Sequence, residues 1–284
     1  MRRQYNISFG LEETERHEDL KRLFRYYFSD ENDYDYDSND GIEEESLLRE
    51  LESKELDINY LKISDNSYIN SVGWSAVYII RRMTNLRTLD LSFNFIEDQE
   101  EYYPFSKAFE KLTNLTSINL SCCDIKNGTE IFENLRNCTA LTHLDLCTNS
   151  IRSGLESFAK AELKELKYID LSFNKIEPKG ATSLAEVLHL NKSLTHLDLT
   201  CNGIGPEGAT SLAEVLGELK VLTFFDVSSN MIQEEGASSI AEALGQSDAL
   251  VDLDLGDNNI GPRGAAYITE ILAECTSLTR ISTL

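Results

Sequence analysis

Basic side chains are scarce in this chain: 26 lysines and arginines stand against 49 aspartates and glutamates in 284 residues, a formal net charge of −23. A nucleic-acid binder needs a basic face to displace condensed counterions, so no nucleic-acid partner is expected. The same imbalance disfavours anionic membranes and favours a protein partner with a basic surface. Long apolar runs are missing as well. Nothing approaches the roughly 18–20 residues of a membrane span, so no membrane partner is expected. Two arginines follow Met1 without an apolar stretch after them, so no signal peptide is read and the expected setting is intracellular, in the cytoplasm.

Chemistry-bearing motifs are equally sparse. The six cysteines (Cys122, Cys123, Cys138, Cys147, Cys201 and Cys275) form no C-x-x-C pair and have no histidines at metal-ligand spacing. They read as small reduced apolar residues; no disulfide framework, metal or cofactor is expected. Five Asn-x-Ser/Thr triplets begin at Asn6, Asn114, Asn127, Asn137 and Asn191, and without a secretory signal they are expected to stay unmodified. No G-x-S-x-G elbow, Cys/His nucleophile signature or G-x-x-x-x-G-K-[ST] loop is present, and the expectation is a protein that is not an enzyme.

What the chain has is repetition. Leu194-Thr195-His196-Leu197-Asp198-Leu199-Thr200-Cys201-Asn202-Gly203-Ile204 returns as Leu250-Val251-Asp252-Leu253-Asp254-Leu255-Gly256-Asp257-Asn258-Asn259-Ile260. In the shared frame L-x-x-L-x-L-x-x-N-x-I, units start at Ile58, Leu86, Leu115, Leu141, Leu166, Leu194, Leu222, Leu250 and Leu278, mostly 28 residues apart. The leucine-type positions belong to a short strand that stacks on the unit before it. The ninth position (Asn66, Asn94, Asn149, Asn174, Asn202, Asn230, Asn258) suits a buried amide bridging backbone groups of successive turns, and Cys123 takes that place in the third unit. The second half of a unit is helical. Gly180 to Leu188 carries its apolar residues at helical spacing and recurs unchanged from Gly208 to Leu216. Pro178, Pro206 and Pro262 precede three of these stretches, where an early proline costs no hydrogen bond.

These units resemble the leucine-rich repeats of the ribonuclease-inhibitor type, the class also found in Ran GTPase-activating proteins and NOD-like receptors. The resemblance implies an α/β solenoid, a horseshoe with a parallel sheet on its concave face and α-helices on its convex face. Residues 58–284 would hold about nine units of roughly 28 residues. Residues 1–57 fall outside the frame and are expected to cap the solenoid. Helices are predicted over Leu11 to Phe28 and about Glu43 to Lys54, around a disordered acidic loop at about 29–42. Asp35, Asp37 and Asn39 alternate in that loop as in a calcium loop. The EF-hand frame nevertheless fails: from Asp35 its glycine and glutamate positions hold Asp40 and Ser46, and from Asp33 the glycine position holds Ser38.

Function in a solenoid resides on the concave strands, where alternate residues leave the core. The fifth position of successive units reads Lys62, Asp90, Asn119, Asp145, Asp170, Asp198, Asp226, Asp254 and Ser282. Such a column would attract a lysine- or arginine-rich surface; the same carboxylates could instead solvate the sheet or bond local backbone amides. The third position places Tyr168, His196 and Phe224 on consecutive strands, with Asp252 on the next. Aromatic residues beside carboxylates match the composition of interaction hot spots. Phe93 and Phe173, at the eighth position, either extend this patch or fold over the strand ends. The expected function is thus an adaptor, inhibitor or sensor binding a basic protein. The other activity implied by the resemblance is stimulation of a small GTPase. Arg152 and Arg263 lie on loops after strands, but neither sits in a recognisable arginine motif. Leu278 and Ile281 begin a last strand without a polar cap after it, which suggests self-association there.

Overall fold

The computed structural model describes residues 6–9, 59–64, 80–94, 96, 105–152 and 154–283. The helices expected over 11–28 and 43–54, the acidic loop and its calcium frame lie outside the described residues.

Each repeat frame opens with a strand. β2 (Tyr60–Ser64), β3 (Thr88–Asp90), β4 (Ser117–Asn119), β5 (His143–Asp145) and β6 (Tyr168–Asp170) are followed by β7 (His196–Asp198), β8 (Phe224–Asp226), β9 (Asp252–Asp254) and β10 (Arg280–Ser282). All are parallel neighbours in chain order, so the fold is an α/β leucine-rich-repeat solenoid with one open sheet. One strand falls outside the repeat frame. β1 (Asn6–Phe9) runs antiparallel along β2, pairing Asn6 with Ser64 and Phe9 with Leu61. Its backbone covers the edge that the first repeat strand would otherwise present.

The central residue of β3 to β9 is buried and its two neighbours are half-buried or exposed, because alternate residues of a strand face opposite sides. Leu89, Ile118, Leu144, Ile169, Leu197, Phe225 and Leu253 therefore form one wall of the core, closed by the leucine-type residues at the first and sixth positions. Among the described residues, the other wall is a 3₁₀ helix (Phe105–Lys111) and six α-helices: α1 (Thr129–Leu135), α2 (Leu155–Ala161), α3 (Glu177–Leu190), α4 (Gly205–Leu216), α5 (Gln233–Leu244) and α6 (Gly261–Leu272). Pro178, Pro206 and Pro262 lie inside the first turn of α3, α4 and α6, so these helices begin earlier than the glycine-led stretches suggest. Those glycines have a packing reason. A Cβ on Gly208 would stand 2.9 Å from Ala181 Cβ and 3.1 Å from Pro178 Cα of the preceding unit.

The asparagines tie the turns together. Asn202 Nδ2 donates to Leu171 O of the preceding unit at 2.8 Å and to Leu199 O at 2.9 Å, while its Oδ1 accepts from the N–H groups of Asn174 and Ile176. Asn149, Asn174, Asn230 and Asn258 repeat the pattern. Where Cys123 replaces asparagine, its thiol donates to Leu91 O at 3.1 Å, and the Ile96 N–H turns to the Cys123 carbonyl instead. The eighth position, just past each strand, lies in the left-handed region: Phe93, Cys122, Thr148, Phe173, Cys201, Ser229 and Asp257 have φ between 52° and 60°. The chain turns sharply there without glycine.

Candidate protein-binding face

The strand register brings Asp145, Asp170, Asp198, Asp226 and Asp254 together on five adjacent strands, β5 to β9. Each carboxylate has a local task. Its Oδ1 accepts from the N–H two residues on: Cys147 for Asp145, Ser172 for Asp170, Thr200 for Asp198, Ser228 for Asp226 and Gly256 for Asp254, at 2.8–3.0 Å. The Ser172 and Thr200 hydroxyls donate to the same oxygens. Asn119 fills the column between Asp90 and Asp145, and its Oδ1 accepts from the Ser121 N–H and hydroxyl in the same way. The bonding to local backbone amides is thus present at all five positions. Oδ1 anchors the turn after the strand, and Oδ2 has no cation partner at any of the five positions among the described residues.

The ends of the face are closed by cations that composition did not single out. Lys62 Nζ meets Asp90 Oδ2 at 2.5 Å, and an Arg280 guanidinium nitrogen meets Asp252 Oδ2 at 2.9 Å. Asp90 and Asp252, two of the expected binding residues, are therefore committed to internal ion pairs. The available charge lies between them.

The third column forms a stack of rings. Tyr168 and His196 have centroids 4.3 Å apart, His196 and Phe224 4.0 Å apart, each pair within 8° of parallel. His143 joins as a fourth ring 5.9 Å from Tyr168, inclined by 18°. The sequence does not mark His143 as part of the aromatic row, because a lone histidine on a strand carries no signal of stacking. Phe93 and Phe173 are 57 % and 50 % exposed.

Burial and like charge set the protonation of this face. Burial pushes the Asp145 carboxyl up to about 6, helped by the carboxylates of Asp170, Asp90 and Asp198. Burial, and then Asp170 and Asp226, also raise Asp198 above the usual carboxylate range, against the bonds from Thr200. At Asp90 burial acts upward too, but hydrogen bonds from Lys62 and Ser92 outweigh it and hold the group low. His196 is lowered by burial despite Asp170, Asp226 and Asp252, so the middle of the ring stack is a neutral imidazole near pH 7. The Tyr168 phenol is raised to about 12, first by burial and then by Asp170, Asp145 and Asp198.

Away from this face, Arg152 is held by Glu177 of the next unit at 2.8 Å. Among the described residues no group of histidine, cysteine, aspartate or glutamate is arranged to hold a metal ion, and no helix is long and apolar enough to cross a membrane.

The architecture and its repeating asparagines define a leucine-rich-repeat fold. A family model described as Leucine Rich repeat matches residues 82–99, 111–128, 164–185, 190–213, 219–241 and 250–268. Toll-like receptor 5 of Homo sapiens is 36 % identical over 96 residues, which is 34 % of this chain and 11 % of the receptor. Among solved structures, an internalin (inlF) from Listeria monocytogenes aligns with a TM-score of 0.52 at 22 % identity, over 71 % of this chain and 49 % of that one. A second internalin (inlC2) from the same organism covers 79 % of this chain and 80 % of its own, at 19 % identity and a TM-score of 0.47. The chain thus spans a small part of the receptor and about half of the first internalin. The likeness to the first internalin is one of fold, and no comparison supports a GTPase-activating role.

Proposed function

We propose that the inner face is a non-enzymatic protein-binding surface for a basic partner, the working part of an adaptor, inhibitor or sensor. The observation that carries this reading is the row of Oδ2 atoms on Asp145, Asp170, Asp198, Asp226 and Asp254, none with a cation among the described residues, beside the ring stack. Neighbouring strands stand about 4.8 Å apart, where like charges repel by about 1 kcal/mol even with water-like screening. A basic partner relieves that repulsion. The test is oligolysine binding at low and high salt, before and after jointly changing Asp170→Asn, Asp198→Asn and Asp226→Asn. Affinity should fall at least tenfold in the variant, and the salt dependence should flatten. Unchanged affinity discards the reading.

The helices of 12–14 residues in α3 to α6 support assignment to the ribonuclease-inhibitor type of repeat. The Cys123 thiol, which donates a hydrogen bond where other units use asparagine, supports a reducing, intracellular setting. A second contact is suggested at β10. Ile281 is 45 % exposed there, whereas its register partner Leu253 is fully buried. Self-association through this edge predicts concentration-dependent light scattering that Ile281→Lys abolishes.

A further inference from the structure

The ring stack and the carboxylates form two parallel rows, two residues apart along each strand and so roughly 6.6 Å apart, both running across the sheet. The rings limit what a ligand can do. Tyr168 and His196 have both faces covered by neighbouring rings, so no cation can sit over either of them. What they show to solvent is a ridge of ring edges. Cations are better placed in the second row, and Lys62 illustrates how: its ammonium reaches the neighbouring strand to meet Asp90 Oδ2 at 2.5 Å.

A ligand that uses both rows at once must turn an apolar row and a cationic row to the same side. A β-strand cannot, because its alternate side chains point to opposite faces. An α-helix can, but its 5.4 Å turns drift from strands about 4.8 Å apart by roughly 2.4 Å over the four intervals from Asp145 to Asp254. A polyproline helix has three rows, two of which can face one surface. Its three-residue repeat of about 9.3 Å matches two strand spacings of about 9.6 Å.

We infer that the inner face takes a lysine- or arginine-bearing polyproline segment of a protein, laid across β5 to β9. Its apolar or prolyl residues rest on the ring edges, and a basic residue at every third position meets a carboxylate Oδ2 on every second strand. This partner class rests on the protein-binding reading above and adds to it the ring row, the spacing and the backbone form. Charge complementarity selects a basic segment over an acidic one, since the chain carries −23 overall and this face contributes five carboxylates without a cation partner among the described residues.

Fluorescence anisotropy with dye-labelled synthetic peptides of equal charge tests it. (Lys-Leu-Pro)4 should bind at least tenfold more tightly than (Lys-Gly-Gly)4 and than an alanine-based helical peptide with four lysines. The advantage over (Lys-Gly-Gly)4 should vanish when Tyr168→Ser and Phe224→Ser are combined, while the weaker binding of (Lys-Gly-Gly)4 survives. Circular dichroism and melting confirm that the variant is folded. Equal affinity of all three peptides, lost together in the Asp→Asn triple variant, overturns the inference and leaves the acidic-face reading standing. Tightest binding of the helical peptide also overturns it. No salt-sensitive binding of any peptide removes both.

Discussion

Lys62 of β2 places its ammonium 2.5 Å from Asp90 Oδ2 on β3, while Asp90 Oδ1 accepts the Ser92 N–H at 3.1 Å and the Ser92 hydroxyl at 2.7 Å. One carboxylate thus does two separate things. Its inner oxygen fixes the turn after the strand, and its outer oxygen takes a cation. The five aspartates of this column from β5 to β9 keep the first arrangement, and among the described residues no cation takes the second position.

That division predicts different outcomes for two small substitutions at one site. Asp198→Asn retains an Oδ1 acceptor for Thr200, as Asn119 does for Ser121, and should leave stability unchanged or slightly higher. Asp198→Ala removes the acceptor and should cost about 1 kcal/mol. Chemical denaturation of the two variants measures the difference. Alanine scanning of this column would therefore mix fold damage with lost charge, and asparagine separates them.

Stability should respond to pH through Asp145. Its folded pKa of about 6 lies above the ordinary carboxylate value of 3.8, so between those values the native state binds the proton more tightly than the unfolded chain. Its ionisation therefore opposes folding near neutrality, and that penalty disappears as pH falls through 6 toward 4. His196 acts oppositely: with its pKa lowered, it costs stability as pH falls below 6.5. The stability of the wild type relative to Asp145→Asn should accordingly rise from pH 7.5 to pH 5. Denaturation midpoints of the pair at several pH values provide the check, and a flat difference would contradict the raised carboxyl.

Burial of the His196 ring should be visible by titration. Its imidazole should titrate below the ordinary 6.5 in two-dimensional NMR, and Phe224→Ala, which uncovers the ring face now 4.0 Å away, should move it upward. A titration unchanged by Phe224→Ala would mean that the stack does not desolvate His196.

Gly208→Ala should destabilise although alanine is the better helix former. The new Cβ would stand 2.8 Å from Ile204 Cγ2, 2.9 Å from Ala181 Cβ and 3.1 Å from Pro178 Cα. Overpacking of this kind costs about 1–3 kcal/mol and exceeds the roughly 1 kcal/mol gained in propensity. At Gly203 a Cβ meets nothing within 4 Å, but φ is +66°, so Gly203→Ala should cost about 1 kcal/mol from the backbone alone. Melting temperatures of both variants, with Gly203→Asn as the partial rescue, distinguish clash from backbone strain.

Asn202→Ala should be among the most damaging single changes. It strands the Asn174 and Ile176 N–H groups in the core, while the Leu171 and Leu199 carbonyls keep the amide donors of Asn174 and Asn230, and a loss of about 2–4 kcal/mol is expected. Cys123→Ala removes a thiol donor whose backbone neighbours are already paired differently, and should cost clearly less in the same urea titration.

Repeat spacing alone was enough to read strand order, register and the residues of both columns, because a strand alternates its faces and a parallel register is carried unchanged from unit to unit. The asparagine at the ninth position was legible for the same reason: a polar residue recurring within an apolar frame has to bond backbone. β1 was not legible, since Asn6–Phe9 is one short run outside any repeat and its pairing with β2 is a long-range choice. Neither were the ion pairs of Lys62 and Arg280, the stacking of His143 with Tyr168, or the packing of Gly208 against Ala181, each of which depends on distances between units. Periodicity in the chain determined which side chains leave the core together. Only the tertiary structure decided which of them are already satisfied, because satisfaction depends on ångström-scale geometry between strands that local sequence does not encode. Among the described residues it leaves five carboxylate oxygens without a cation on β5 to β9 and pairs the two at Asp90 and Asp252.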